Sequence, residues 1–344
     1  MLHVGLDLSR KRVDVHVLDS AGQRVARTTA VPDEGGLRAL VESLPAQSVR
    51  AAIESMTGAR FVRDVLTDAG WEVAVADAQR VKGLAPLACK TDKIDAWVLA
   101  ELCRRDLVPA VWLPPMGVRQ NRERARFRLH LVKHRTMLKA RVHSALMTFG
   151  IPAKTADLFA PGGRRLLTRL ALPDPWAGDV TASLQLIDTL DEQIGECERL
   201  LRRLGADHPY LPRLLTVPGI GWVLGYTIAA EIGDIHRFPT PTKLVGYTGL
   251  SPRVYQTGEI DRRGPLAKNG PRYLRWALIE ASIHACQHPA YRDRYARTRK
   301  RLGKQRGPRV ARVEVARDLA HAIWHMLTRD QDFAPAGATK DLAA

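Results

Sequence analysis

The chain has 344 residues, of which 45% are apolar and 26% are charged, and its formal net charge is +17. This composition indicates a globular chain rather than an intrinsically disordered one, and the length suits two or three domains with a sizeable core. So much positive charge indicates a polyanionic partner, for which nucleic acid is the usual candidate and an anionic membrane surface the competitor.

The sequence does not favour secretion or a membrane span. The opening MLHVGLDLSRKRVDVHVL alternates like a strand and lacks the long apolar core of a signal peptide. The longest weakly charged stretch, LLTVPGIGWVLGYTIAA, is broken by Pro218 and by glycines, and is marginal in length for a span. The cysteines, Cys89, Cys103, Cys197 and Cys286, form no CxxC pair. We therefore expect a cytoplasmic protein with reduced thiols and no zinc site.

Residues 1–115 are predicted to form an α/β domain. HVGLDLS, RVDVHVLD and QRVARTTAV indicate an antiparallel meander of three strands. EGGLRALVESL and GARFVRDVLTDAG have helical periodicity, while VRAAIES and WEVAVAD indicate strands, the first of them central because it is nearly continuously apolar. A further helix begins at KTDKIDA.

Residues 116–205 are predicted to form a basic helical arm. Residues 118–141 carry nine Lys or Arg against one acid, Glu123, and no strand pattern. In the next predicted helix, apolar side chains recur at steps of three and four at Ile187, Leu190, Ile194, Cys197, Leu201 and Leu204. This spacing is typical of a coiled-coil seam, and it is equally compatible with the core of a helical hairpin.

Residues 206–333 are predicted to be mainly helical. VPGIG marks a tight turn between two helices, SPRVYQTGEIDRRGPLAKNG is interpreted as a loop, and PRYLRWALIEASIHACQH begins a helix with Pro271. Two more helices are predicted around AYRDRYARTRKRL and VARVEVARDLAHAIWHML. Residues 334–344 are predicted to be a disordered tail.

Four acidic residues are candidates for a metal site. Asp7 lies in the first predicted strand, Glu54 ends a later strand, and Asp92 and Asp95 open the helix at KTDKIDA. Each acid alone is also explained as a helix cap or a surface residue. Together, on a basic chain, they favour a site for one or two Mg²⁺ ions of the kind used in phosphoryl transfer. Their order resembles the RNase H-like, RuvC-like nuclease core; actin-like sugar kinases open similarly, but the second Gly-rich phosphate loop that they need is not found.

Three segments are candidates for nucleic-acid contacts. The amides of Gly219 and Gly221 in VPGIG could hold a phosphate as in a helix-hairpin-helix motif, and the alternative is a tight turn between packed helices. Cations surround a predicted helix start at Arg262, Arg263, Lys268, Arg272 and Arg275. The basic middle helix adds Arg119, Arg122, Arg126, Lys133 and Lys139. For both basic groups the alternative is a solvated charged surface.

The segments GLDLS, IES, KTDKID, VPGIG and GLSPRVYQTGEIDRRGPLAKNGPRYLRWALIEA together resemble the DEDD transposases of insertion-sequence family one-ten, relatives of the Piv/MooV invertases. The resemblance spans residues 2–330 in the family's order. It implies a recombinase that excises and inserts a mobile element under the guidance of a structured noncoding RNA. It also implies a RuvC-like domain whose tetrad, Asp7, Glu54, Asp92 and Asp95, binds Mg²⁺, followed by a coiled-coil arm and a C-terminal transposase domain.

The resemblance further implies a composite active site, shared between protomers of a homo-oligomer such as a dimer or tetramer, and a serine that attacks DNA to form a covalent intermediate. This chain has Thr257 where the family has that serine. Threonine keeps the hydroxyl and adds a methyl group. Ser251 and Tyr255 also carry hydroxyls but do not match the family's serine position.

Two alternative functions remain open from the sequence. One is a RuvC-like endonuclease that uses metal-activated water and forms no covalent intermediate. The other is a catalytically weak relative that only binds nucleic acid. A protein–DNA adduct would separate the covalent recombinase from the endonuclease. Retained RNA and DNA binding without any cleavage would support the weak relative.

Overall fold

A computed structural model of the chain describes residues 1–45, 47–84, 92–152, 157–257 and 260–334, apart from the side chains of Asp92, Lys93, Asp261 and Arg263. The predicted disordered tail lies outside these residues from 335 onward. Contacts divide the chain into two compact units, Met1–Leu113 and Pro114–Ala344. The first unit ends close to the predicted boundary at 115, and the second unit contains both the predicted arm and the predicted C-terminal domain.

The first unit contains a five-stranded sheet of order β3-β2-β1-β4-β5. The strands are β1 Leu2–Leu8, β2 Val13–Leu18, β3 Arg24–Ala30, β4 Val49–Glu54 and β5 Glu72–Ala76. Strands β1, β2 and β3 pair antiparallel, and β1, β4 and β5 pair parallel. The described helices are α1 Glu34–Ser43, α2 Ala59–Asp68, α3 Ala78–Leu84 and α4 Asp92–Arg104. The predicted meander and the later strands are confirmed.

Helices cover both faces of this sheet, and side-chain alternation assigns each residue of β1 to one face. Val4, Leu6 and Leu8 belong to a core that includes Leu37 of α1 and Leu66 of α2. The opposite face of the sheet forms a smaller core with α4, in which Ala52 of β4 packs with Val98, Leu99 and Leu102. Helix α1 begins at an N-cap, Asp33, whose side chain accepts a hydrogen bond from the Gly36 amide.

The second unit is mostly helical, so the fold is mixed α/β in the N-terminal unit and mainly α in the C-terminal one, as predicted. Its elements are α5 Met116–Thr148, α6 Pro161–Arg169, α7 Trp176–Gly205, α8 Leu211–Leu215, α9 Trp222–Ile232, a 3-10 turn Ile235–Arg237, α10 Pro241–Thr248, β6 Pro252–Thr257, β7 Ile260–Leu266, α11 Arg272–Ala285 and α12 Pro289–Arg329. None of the helices within the described ranges is long and apolar enough to cross a membrane.

The predicted seam on α7 packs within the chain. Ile187, Ile194 and Leu201 are buried, whereas Leu204 is 38% exposed. Ion pairs join α5 to α7 at Arg128–Glu198, Arg135–Asp191 and Arg141–Asp179. Since the partner numbers fall on α7 as they rise on α5, the two helices are antiparallel. Of the two readings left open, the helical-hairpin core describes this seam; contact with another protomer stays a prediction.

The interpretation of residues 251–270 as a loop is wrong, because this segment contains two strands. Strands β6 and β7 form an antiparallel hairpin in which Thr257 pairs with Ile260. Strand β6 is exposed along most of its length, so its residues do not alternate between apolar and polar as they do in a half-buried strand. Pro252, Gly264 and Pro265 also read as loop residues. These features hid the hairpin from pattern analysis.

Candidate active site and nucleic-acid contacts

Asp7 and Glu54 occupy neighbouring positions on the two central parallel strands. Strand β1 pairs with β4 in a register that matches Gly5 with Ala52 and Leu6 with Ile53. The next step of this register places Asp7 beside Glu54. Both acids share the sheet face of Gly5 and Ala52, because side chains two residues apart lie on the same face. Both are half-buried.

Helix α4 runs along this face, antiparallel to β1. A β-carbon at Gly5 would lie 1.8 Å from the Ala96 carbonyl oxygen and 2.5 Å from the Ala100 amide nitrogen. His3 lies nearer the start of β1, and its pKa, which burial lowers, is lowered further by the charge of Arg104 and raised by that of Glu101, both toward the end of α4. The beginning of α4, which carries Asp92 and Asp95, is therefore directed toward the end of β1 that carries Asp7.

The tetrad itself stays a prediction. The side chain of Asp92 lies outside the described ones, and Asp95 is half-buried on α4. Among the side chains that the structure does describe, no three of His, Cys, Asp and Glu form a group that could hold a metal ion. What the backbone provides is a common face for Asp7 and Glu54 and a helix directed toward it, which suits carboxylate ligation of a hard cation.

Asp14 on β2 is a fifth acid near the predicted tetrad that was not among the predicted site residues. Asp14 lies directly opposite Asp7 in the antiparallel pairing and is only 7% exposed. Its Oδ2 accepts a hydrogen bond of 2.8 Å from Nε of Arg12. Asp14 also lines a small cleft with His16, Arg27, Thr28 and, on α4, Ala96. The signal was present, because pairing the two predicted strands of the meander brings Asp14 across from Asp7.

Thr257 lies at the outer end of β6, where it is exposed. Its neighbours on the strand, Val254 and Tyr255, are 56% and 77% exposed. Ser251 lies at the base of the hairpin, where its carbonyl accepts a 2.8 Å hydrogen bond from the Ala267 amide. Six residues of extended strand separate Ser251 from Thr257 by about 20 Å. The hairpin therefore presents Thr257, and not Ser251, near its tip.

The cations after Thr257 differ in how much of each side chain is available. Arg262 on β7 and Lys268 beyond it are exposed, while the side chain of Arg263 lies outside the described ones. Arg272, exposed at the start of α11, hydrogen-bonds the Tyr273 hydroxyl at 2.8 Å. Arg275 is half-buried, donates to the Thr248 carbonyl at 3.2 Å, and has its pKa lowered by burial. Arg262 and Lys268 are the members most open to a phosphate.

Arg122 and Arg126 of α5 have partners inside the second unit. Arg126 donates two hydrogen bonds, of 2.7 and 2.9 Å, to the carboxylate of Glu231, whose side chain is fully buried on α9. Arg122 donates to the carbonyls of Ala230 and Glu231 at 2.9 and 2.6 Å. The Tyr273 ring lies 5.1 Å from the Arg126 guanidinium. We interpret these two arginines as anchors of α5 rather than as phosphate contacts.

Three other cations of α5 remain candidates for phosphate contacts. Lys133 is exposed, and Arg119 is half-buried with its guanidinium 3.9 Å from the Met116 sulfur. The Lys139 ammonium lies 4.7 Å from the centre of the Phe159 ring. None of these contacts neutralises the positive charge, so phosphate binding by Arg119, Lys133 and Lys139 stays a prediction.

The VPGIG turn joins α8 to α9, as predicted, and its two glycines differ. Gly219 has a φ of +83°, and a β-carbon there would lie 2.3 Å from the Ala281 carbonyl oxygen of α11. Gly221 is the N-cap of α9, and a β-carbon there would meet nothing within 4 Å. Packing explains the glycine at 219 without a ligand, whereas the open side of Gly221 is free for the predicted phosphate contact.

Comparisons with known proteins agree with this arrangement. A DEDD transposase model of the IS110 type matches residues 4–151, which contain nearly all of the sheet, α4 and the whole of α5. A second model, described as the transposase IS116/IS110/IS902 family, matches residues 211–297, which contain the VPGIG turn and the β6–β7 hairpin. The two matches do not overlap and together cover more than half of the chain.

The chain is also similar to curated proteins over nearly its full length. It is 28% identical to a probable family 20 transposase of Pseudomonas aeruginosa, with 96% of this chain and 98% of the relative covered. It is 27% identical to the transposase for insertion sequence element IS1328 of Yersinia enterocolitica, with the same coverage. A third relative, the transposase for IS1111A of Coxiella burnetii, is 26% identical over 71% of this chain and 68% of its own length. The chain belongs to the IS110 family of DEDD transposases, and it is a DNA transposase.

Proposed function

We propose that this transposase cuts and rejoins DNA strands at a Mg²⁺-dependent carboxylate site, through a covalent intermediate on Thr257 and under the guidance of a structured RNA. The observation that carries the proposal is the common face shared by Asp7 and Glu54 under a helix that opens with Asp92 and Asp95. The strand order supports a RuvC-like assignment of the first unit, because β2 and β3 are joined by antiparallel pairing on one side of β1, and β4 and β5 by parallel pairing on the other.

Asp7, Glu54, Asp92 and Asp95 would hold one or two Mg²⁺ ions, because their carboxylate oxygens are the ligands that this cation prefers. When bound, the ions would supply charge stabilisation for the reacting phosphate and favour deprotonation of the attacking hydroxyl. Asp14 is placed to act on Asp7 indirectly. Its carboxylate forms an ion pair with Arg12 and lies across from Asp7 on the same sheet face.

Thr257 would supply the nucleophile from the exposed hairpin. In the proposed step its Oγ1 forms a bond to a DNA phosphorus while the bond from that phosphorus to one strand oxygen breaks. The hydroxyl proton passes to a base at the site, and the departing oxygen takes up a proton. Rejoining reverses the step, because a strand hydroxyl attacks the phosphothreonine and releases Thr257. The composite site between protomers of a dimer or tetramer, implied by the family resemblance, is part of this proposal.

Nucleic acid would contact the cations that the structure leaves accessible. Arg262, Lys268 and Arg272 follow the hairpin and are placed to bind phosphates of the DNA near Thr257. The side chains of Arg119, Lys133 and Lys139 along α5 would bind the guide RNA. The support for RNA is the family resemblance together with the density of cations on α5.

The test is to trap the reaction on a DNA substrate carrying an element end and to search for a protein–DNA adduct by denaturing gel and peptide mapping. The wild type should form an adduct at Thr257, Thr257→Ser should keep it, and Thr257→Ala should abolish it. Ser251→Ala and Tyr255→Phe are matched controls that remove the other two hydroxyls and should leave the adduct intact. Asp92→Asn should abolish the adduct while DNA binding persists.

Three outcomes would contradict the proposal. An adduct that persists in Thr257→Ala would mean that another hydroxyl attacks. Cleavage without any adduct would favour the RuvC-like endonuclease. Binding of DNA and RNA without cleavage by the wild type would favour a catalytically weak relative.

A further inference from the structure

The element α12 consists of two helices that form a hairpin. Gly303, with φ 75° and ψ 179°, interrupts the helix and separates a first limb, residues 289–302, from a second limb, residues 304–329. Nη1 of Arg294 lies 2.7 Å from Oδ1 of Asp318, and the Thr298 hydroxyl donates a 2.6 Å hydrogen bond to Glu314. As the residue number rises from 294 to 298 on the first limb, the partner's number falls from 318 to 314 on the second. The two limbs are therefore antiparallel, and the chain folds back on itself at Gly303.

The limbs approach each other closely near the fold. A β-carbon at Gly307 would lie 2.6 Å from the Arg299 carbonyl oxygen, so the second limb passes against the backbone of the first at this point. Farther from the tip, the second limb enters the core of the unit through Val315, Leu319 and Ile323. The second limb therefore anchors the tip to the core of the second unit.

The end of this hairpin, residues 297–309, is strongly cationic, and we call it the basic tip. Its seven cations are Arg297, Arg299, Lys300, Arg301, Lys304, Arg306 and Arg309, and no acid occurs between residues 294 and 313. All seven side chains are exposed. Arg301 lies 3.6 Å from Glu314; within the described part of the chain, no ion pair or side-chain hydrogen bond involves any of the other six.

We propose that the basic tip binds the phosphate backbone of duplex DNA as a sequence-independent anchor, through residues other than those of the β6–β7 hairpin and α5. Seven like charges on one small projection repel one another, and a polyanion that neutralises them releases its own counterions on binding. Each α-helix is about 10–12 Å across with its side chains, so a two-helix tip spans several phosphates of a duplex.

The side chains of the tip favour duplex backbone over other polyanions. Residues 297–309 contain no aromatic side chain, so the tip lacks the stacking platform typical of single-strand recognition. Leu302 is the largest apolar side chain there and is half-buried, which disfavours insertion into a membrane. Duplex DNA is also the polymer on which a DNA transposase acts. The inference rests on that activity and on neither the covalent step nor RNA guidance.

The experiment measures the affinity of the full-length protein for a short duplex by fluorescence anisotropy between about 50 and 200 mM salt. The variant is the triple change Arg299→Gln, Lys300→Gln and Lys304→Gln. We expect its slope of log affinity against log salt to fall by roughly 2 to 3, with affinity at the higher salt roughly tenfold or more weaker. A duplex of unrelated sequence should give the same loss, because the contacts are to phosphates.

The matched control removes three exposed cations elsewhere in the same unit, by Arg199→Gln, Arg202→Gln and Arg203→Gln on α7. It changes the net charge equally and should leave the slope nearly unchanged. Circular dichroism and thermal unfolding should be as in the wild type for both triple variants, since only exposed side chains change.

Three results would overturn the proposal. An equal loss in the α7 control would show that only net charge matters. An unchanged slope in the tip variant would show that the tip is solvated. A loss confined to a structured RNA of similar length would assign the tip to RNA. Failure of the covalent chemistry is distinguishable, because Thr257→Ala should lose the adduct at unchanged DNA affinity, whereas the tip variant should still form the adduct at saturating DNA.

Discussion

Gly5 on β1 and Ala96 on α4 touch through their main chains, since a β-carbon at Gly5 would come within 1.8 Å of the Ala96 carbonyl oxygen. This approach holds the helix that begins with Asp92 against the strand that carries Asp7. No side chain fits between the two elements at Gly5. The candidate metal site therefore depends on a residue that would take no part in its chemistry.

Gly5→Ala should destabilise the first unit and reduce transposition. The added methyl group collides with backbone atoms of α4, which cannot rotate away as a side chain does, so we expect a cost of about 1–3 kcal/mol or more. Urea unfolding measures this cost. Gly83→Ala is the control, because a β-carbon there meets nothing within 4 Å and helix propensity favours alanine by up to about 1 kcal/mol. Equal stability of Gly5→Ala and wild type would contradict the close contact.

Local pattern was enough to predict the sheet and both strand acids. Alternating apolar residues such as Val4, Leu6 and Leu8 identify β1 and its buried face, and this assigns Asp7 to the other face. Asp14 follows the same alternation but was not singled out, because its importance appears only when β2 is paired with β1. Secondary structure was thus predictable where one face of an element is buried, because its apolar residues then recur at a regular spacing.

Long-range partners were not predictable. The cations Arg122 and Arg126 belong to a run that reads as a phosphate-binding surface, yet the buried Glu231 that binds Arg126 lies 105 residues farther along the chain. The β6–β7 hairpin was missed for a different reason, since its exposed first strand, which ends at Thr257, shows no apolar alternation. In both cases the deciding information is tertiary contact or exposure, which periodicity does not contain.

The first unit should lose stability as the pH falls below about 6.5. His3 is buried on β1, and its pKa is lowered by burial, by Arg50 and by the amino terminus, with Arg104 lowering it further and Glu101 opposing. A histidine with a lowered pKa stays neutral in the folded state while the unfolded chain takes up a proton near pH 6.5. Its contribution is therefore complete above that pH and is lost below it.

The measurement for His3 is thermal unfolding across the pH range below and above 6.5. His3→Leu removes the titrating group, and it also removes a buried Nδ1 that has no hydrogen-bond partner among the described atoms. The variant should gain stability relative to wild type as the pH falls, with the smallest difference above pH 6.5. A constant difference at every pH would mean that His3 does not titrate differently in the folded and unfolded states.

Glu231→Ala should destabilise the second unit strongly. The substitution leaves Arg126, and to a lesser degree Arg122, without the buried carboxylate that neutralises them, and breaking a buried pair from one side costs about 3–5 kcal/mol. Asp179→Asn is the control, because its pair with Arg141 is exposed and is worth about 1 kcal/mol or less. Urea unfolding distinguishes the two. A small effect at Glu231 would imply that Arg122 and α5 are held without it, by the Tyr247 hydroxyl, which accepts a 3.3 Å hydrogen bond from Arg122, and by the backbone carbonyls.

The three accessible candidates on α5 should govern salt-dependent RNA binding. Replacing Arg119, Lys133 and Lys139 by alanine should lower the slope of log affinity against log salt by about 2 to 3 for a structured RNA, since each lost phosphate contact contributes about 0.7 to 0.9. Stability should change little, because none of the three is fully buried.

Arg126→Ala provides the contrast. It removes a cation from the same helix but also the partner of buried Glu231, so it should lower stability while leaving the RNA slope nearly unchanged. If Arg126→Ala changed the slope as much as a member of the accessible set, then the anchoring role assigned to Arg126 would be incomplete and that side chain would also reach RNA. If the triple variant left the slope unchanged, the cationic face of α5 would be a solvated surface, and guide RNA would have to bind elsewhere on this transposase.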